Sequence, residues 1–115
     1  MIARGYVYAA PIMHDGEYRL GLRFVPDGLP FQPYGRVVAN LRVPLSAFLG
    51  EADFGSVVHL PRKGSCIEVA GRYDGYTQIG LRGDDYLLRL VPESVQIVRT
   101  KAARAEAKNY RVTAR

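Results

Sequence analysis

Apolar and polar residues alternate with a period of two along most of the chain up to about residue 98, the signature of strands with one buried face. Tyr6-Val7-Tyr8-Ala9-Ala10 opens a first strand that ends near Met13. His14-Asp15-Gly16-Glu17 reads as a hairpin turn, because Asp-Gly accepts the positive φ angles such turns require. Tyr18 to Val25 is a second strand with the cleanest alternation. Tyr18, Leu20, Leu22 and Phe24 share one face, and Arg19, Gly21 and Arg23 share the other. Residues 26–35 form a loop stiffened by Pro26, Pro30 and Pro33, carrying Phe31 and Tyr34. A third strand runs from Arg36 to about Val43, with Val37, Ala39, Leu41 and Val43 opposed to Arg36, Val38, Asn40 and Arg42.

Residues 44–64 follow no single period. Ser46-Ala47-Phe48-Leu49 suits one helical turn, and Ser56 to Leu60 suits a short strand or helix. Pro61-Arg62-Lys63-Gly64-Ser65 is a turn into a fourth strand, where Ile67, Val69 and Gly71 alternate with Glu68, Ala70 and Arg72. Strand character resumes after Asp74-Gly75 and reaches about Arg82, with a turn at Gly83-Asp84-Asp85. A fifth strand runs from Tyr86 past Pro92 to Val98. Proline lacks a ladder donor, so a bulge or an edge position is expected at Pro92.

Composition narrows the class. A chain of 115 residues, about half of them apolar, predicts one globular domain. No apolar run approaches the roughly 20 residues of a membrane helix. Met1-Ile2-Ala3-Arg4-Gly5 lacks a secretory layout, so no membrane association and a cytoplasmic location are expected. Cys66 is the single cysteine, which excludes an internal disulfide and predicts a small buried strand residue. No metal cluster, cofactor motif or nucleophile–base pair is evident, so the expectation is a non-enzyme without cofactor.

The charge changes the picture once it is located. The net charge is +5, yet residues 1–98 are balanced and the excess falls on residues 99–115, with Arg99, Lys101, Arg104, Lys108, Arg111 and Arg115 against Glu106. Residues 1–98 therefore read as a domain and 99–115 as a basic tail, flexible or weakly helical, suited to a polyanion. Within the domain, acids cluster in predicted turns, with Glu68 the clear strand acid. Arg19, Arg23, Arg36, Arg42, Arg72 and Arg89 take strand positions opposite the apolar set, and Arg82 falls near a turn. If those faces align, one wall carries a cationic grid. Guanidinium binds phosphate with two parallel hydrogen bonds and stacks on bases, which an ammonium does less well. Among the aromatics, Phe31, Tyr34 and Tyr76 are the candidate stacking platforms. Tyr18, Phe24 and Tyr73 fall on the core parity, and Tyr6 and Tyr8 fit either role.

Two segments resemble the bacterial single-stranded DNA-binding protein family. Leu60 to Arg72 is similar to that family's basic turn leading into an apolar strand. Tyr86 to Val98 is similar to its last strand, with a Val-Gln-apolar-apolar close at Val95-Gln96-Ile97-Val98. Tyr34 to Leu41 aligns in two registers, the third-strand register being preferred. The chain departs from the family in having no tryptophan and a basic stretch in place of an acidic C-terminal tip. A short relative resembling primosomal replication protein B is the close alternative.

The resemblance implies an all-β fold, a five-stranded OB-fold Greek-key barrel. It also implies sequence-tolerant binding of single-stranded DNA in replication, recombination or mobile-element maintenance, and a homo-oligomer, dimer or tetramer. RNA binding, or a protein-interaction role without nucleic acid, are the alternatives. The expected binding residues are Arg19, Arg23, Phe31, Tyr34, Arg36, Arg42, Arg72, Tyr76, Arg82, Arg89, Lys101 and Arg104.

Overall fold

A computed structural model describes residues 1–48 and 60–99. The strands are β1 (Ile2–Val7), β2 (Ile12–His14), β3 (Glu17–Phe24), β4 (Val37–Pro44), β5 (Cys66–Ile79) and β6 (Asp85–Ile97), with one 3-10 turn at Leu45–Phe48. Five of them close into a ring. β1 pairs with β3 and β5, β3 with β4, and β5 with β6, all antiparallel; β4 and β6 close it in parallel. This all-β ring, with its single parallel closure, has the strand order of an OB barrel, as expected.

Alternation dictates the wall. Val7, Leu20, Leu22, Phe24, Val37, Ala39, Leu41, Val43, Ile67, Val69, Leu88 and Leu90 point inward and are buried together. Each Val, Leu, Ile or Phe among them contributes about 1.5–3 kcal/mol when removed from water. The two barrel ends are closed differently. Where β3 begins and β4 ends, Phe48 meets Tyr18 edge-on at a centroid distance of 5.8 Å. The Tyr18 hydroxyl there donates to the Pro61 carbonyl at 2.6 Å. Burial pushes the Tyr18 pKa above its ordinary value, with nearby Arg62 partly opposing. Where β4 and β6 begin, the 26–35 loop lays Phe31 against Tyr73, Tyr76 and Tyr86.

The predicted first strand is two strands. β1 starts at Ile2, earlier than the alternation suggested, because its backbone pairs with β5 from Ile2–Ala70 to Tyr6–Cys66. It stops at Val7, and Ala9-Ala10-Pro11 leads away from the ring before β2 forms a hairpin with β3. The turn of that hairpin is Asp15-Gly16, with φ of 50° and 74°, as the Asp-Gly pair predicted.

Asp74-Gly75 does not separate two strands. It is a bulge inside β5, where the register with β6 shifts between Tyr73 and Tyr76. Gly75, at φ 86°, supplies the left-handed residue that lets the strand continue. The strand ends at Ile79, sooner than the expected Arg82, and the reversal that follows holds the expected turn at Gly83-Asp84, with Asp85 already in β6. The bulge expected at Pro92 is present: Ala70 pairs with Ser94 and Gly71 with Pro92, leaving Glu93 as the extra residue.

The acids are less segregated than the sequence implied, since Glu17, Asp74, Asp85 and Glu93 all lie within strands beside Glu68. The expected helical turn is present as the 3-10 turn, although Leu49 lies outside the described residues, as does the segment 56–59. Among the described residues, no helix is long and apolar enough to cross a membrane.

Candidate functional site

On the outer wall of β3 and β4 the register sets side chains directly opposite one another: Arg19 faces Arg42, Gly21 faces Asn40, and Arg23 faces Val38. Like charges placed directly across a strand pair repel and lower stability, so the Arg19–Arg42 pairing has no structural advantage. Arg42 is tied to Glu17, its NH2 donating to Oε1 at 3.1 Å. Arg19 is exposed and, among the described residues, its side chain makes no hydrogen bond or ion pair.

This wall is concave. Because the chain leaves the ring after Val7, residues 8–12 rise as a lip beside β3, anchored by Tyr8 N–H donating to the Gly21 carbonyl at 3.1 Å. Between lip and sheet lies a groove of about 430 Å³, lined by Tyr8, Ile12, Arg19, Gly21, Asn40 and Arg42 among others. Asn40 also borders a second hollow of about 270 Å³ that continues across β6 to β5, with Leu87, Arg89, Val91 and Asp74. Arg89 is fixed there. Its Nε donates to the Asp74 carbonyl at 2.9 Å and its NH1 to Thr77 Oγ1 at 2.7 Å. Its guanidinium covers Gly75, where an added Cβ would come within 2.7 Å of NH2. The two hollows make one shallow path over β3, β4 and β6, with arginines along it.

The single cationic grid expected from parity is not what forms. Arg36 lies just before β4 and is claimed by Asp85, with NH2 donating to Oδ2 at 2.8 Å and the backbone N–H donating to Oδ1 at 3.2 Å. Hydrogen bonding to Arg36 holds the Asp85 carboxyl below its ordinary pKa, and the same bond raises the Arg36 pKa. Arg36 is therefore tied to the start of β6 and lines neither hollow. Arg72 sits on β5 opposite Val91, a residue of the second hollow, and is not on the β3–β4 pair that carries Arg19. Arg23 is half-buried, opposite both Val38 and Tyr6. Arg82 is exposed in the β5–β6 turn. Lys101 and Arg104 lie outside the described residues.

The aromatic candidates separate in the same way. Phe31 is not a free ring: it packs against the core with its centroid 4.4 Å from Tyr76 and 5.4 Å from Tyr86. Tyr76 is correspondingly half-packed. Tyr34 remains 96% exposed in the loop. Sequence parity placed Tyr6 and Tyr8 on one face, and both do point outward, yet Tyr6 is buried at 1% exposure and Tyr8 is open at 37%. Tyr8 and Asn40 belong to the groove and were not among the expected binding residues. The available signal for Tyr8 was Pro11 three residues on, which lacks a ladder donor and favours a break in the pairing. Cys66 is buried in β5, as its strand position suggested. No family model, curated protein or solved structure matches this chain.

Proposed function

We propose that this protein binds single-stranded DNA with little dependence on sequence, along the groove on the outer wall of β3 and β4. One observation carries the reading: two arginines directly opposed on a concave wall, one of them with no side-chain partner among the described residues, where a phosphate would relieve their repulsion. Arg89, braced further along the same path, would meet the next part of the strand. An OB barrel uses the corresponding strands and flanking loops for oligonucleotides, which supports the choice of wall. By the resemblance of residues 60–98, the process served is replication, recombination or mobile-element maintenance.

The test is a fluorescence anisotropy titration with labelled oligo-dT, its RNA counterpart and a duplex of equal length. The proposal expects oligo-dT to bind well ahead of duplex, with affinity falling as salt rises by a log–log slope of about −0.7 per phosphate contacted. No binding to oligo-dT at low salt, or equal binding of duplex, would overturn it. Tighter binding of the RNA strand would replace DNA as the ligand.

A further inference from the structure

Tyr8 is the one groove residue whose position is set from two sides. Gly21 lies beneath its ring: a Cβ built on Gly21 would stand 2.9 Å from Tyr8 Cζ, 3.1 Å from its hydroxyl oxygen and 3.2 Å from Cε1. Those distances put the ring directly over the glycine, in space that any side chain at 21 would fill. The hydroxyl reaches across to β4, donating to Asn40 Oδ1 at 3.5 Å. Tyr8 is nonetheless 37% exposed and lines the groove. A ring with one side on the sheet and part of its surface open offers a π-surface at little entropic cost on binding.

Arg19 is two residues from Gly21 along β3, and Arg42 is two residues from Asn40 along β4. Strand rise puts both guanidiniums' backbones roughly 7 Å from the ring's support, within the reach of a single nucleotide. From this juxtaposition we propose that Tyr8 is a preorganised stacking platform for an unpaired base, whose phosphate is held at Arg19 and Arg42. The inference rests on the single-strand reading and sharpens its ligand class. The strand must present a base splayed out of any helix, because a paired and stacked base has no free face to lay on Tyr8.

A ring lying on a strand glycine can also serve stability alone, by shielding the bare backbone. The experiment therefore separates stacking from folding. Anisotropy titrations use oligo-dT of roughly 15 nucleotides and the same strand with abasic sites, against wild type, Y8A, Y8F and G21A. Each variant is first checked by circular dichroism and thermal melting. Y8A is expected to lose about 5- to 150-fold in affinity for oligo-dT with its salt slope unchanged. Y8F should stay within about threefold of wild type, since the π-face survives. G21A, which displaces the ring, should fall toward Y8A. Wild type should discriminate against the abasic strand more strongly than Y8A does.

Folded Y8A that binds oligo-dT as wild type does would overturn the platform while leaving single-strand binding intact. Equal wild-type affinity for intact and abasic strands would do the same. Wild type that binds neither strand would remove the reading beneath it as well.

Discussion

Glu17 holds Arg42 at 3.1 Å directly across from Arg19, so replacing it with glutamine should move binding and stability in opposite directions. The pair is open to water, with side-chain exposures of 65% for Arg42 and 33% for Glu17. A pair in that setting stabilises the fold by about 0–1 kcal/mol, so E17Q should lower the melting temperature only slightly. On the binding side, Glu17 repels any phosphate in the groove. It lies two strand residues from Arg19, about 7 Å of backbone. At about 7–10 Å in a water-like dielectric, two unit charges interact by about 0.4–0.6 kcal/mol. For one or two phosphates the gain is about 0.4–1 kcal/mol, or a two- to fivefold tighter complex at low salt. The gain should vanish near 1 M salt, where screening acts over about 3 Å. R42A is the mirror case. It removes a cation and leaves Glu17 uncompensated beside the groove, so it should cost more affinity than R19A. Anisotropy titrations at low and high salt, paired with thermal melts, read both effects. Unchanged or weaker low-salt binding by E17Q would refute the placement of the strand beside Glu17.

Other consequences follow from the same geometry. Removing both opposed arginines in R19A/R42A should reduce the salt slope by up to about 1.4, two phosphate contacts' worth, and leave urea stability within about 1 kcal/mol of wild type. F31A should lose about 2–3 kcal/mol in urea melts, less than a fully buried Phe→Ala change because Phe31 is only partly buried, while oligo-dT affinity stays unchanged. G35A should be strongly destabilised in the same assay. Its Cβ would collide with the Asp84 carbonyl, and the parallel seam it disturbs has only the pairs Val37–Tyr86 and Val38–Leu87. Asp85 is held below its unfolded pKa of about 3.9 by Arg36, so its contribution is complete above that pH and lost as pH falls through the depressed folded value. The melting-temperature gap between wild type and D85N should therefore shrink steadily below about pH 4.

Much of the barrel was legible because burial enforces alternation. Leu20-Gly21-Leu22-Arg23-Phe24 and Val37-Val38-Ala39-Asn40-Leu41 read the same way in sequence and structure, since a slip of one residue would expose every inward side chain. What escaped was decided by partners distant in sequence. β1 extends back to Ile2 because β5 offers it a ladder, which no local pattern reveals. Asp74-Gly75 carries the same signature whether it turns a chain or bulges a strand. Only the pairing of Tyr76 with Leu88 shows the strand continuing. The bulge puts both Tyr73 and Tyr76 on the side of Phe31, which is why a loop ring expected to be free is packed. The arginine parity was correct for Arg19, Arg23 and Arg42, but parity cannot say which carboxylate lies near. Asp85 captures Arg36, and the closed ring sets Arg72 on β5, apart from the β3–β4 pair.

The path of the strand can be read directly by amide chemical-shift mapping of the full chain titrated with oligo-dT. The largest perturbations should cluster at residues 8–12, 19–21 and 40–42, extending to Arg89 and Val91, with the Arg4, Glu68 and Gln96 side of β1, β5 and β6 quiet. Perturbations centred on Glu68 and its neighbours, or no perturbation at all, would contradict this path.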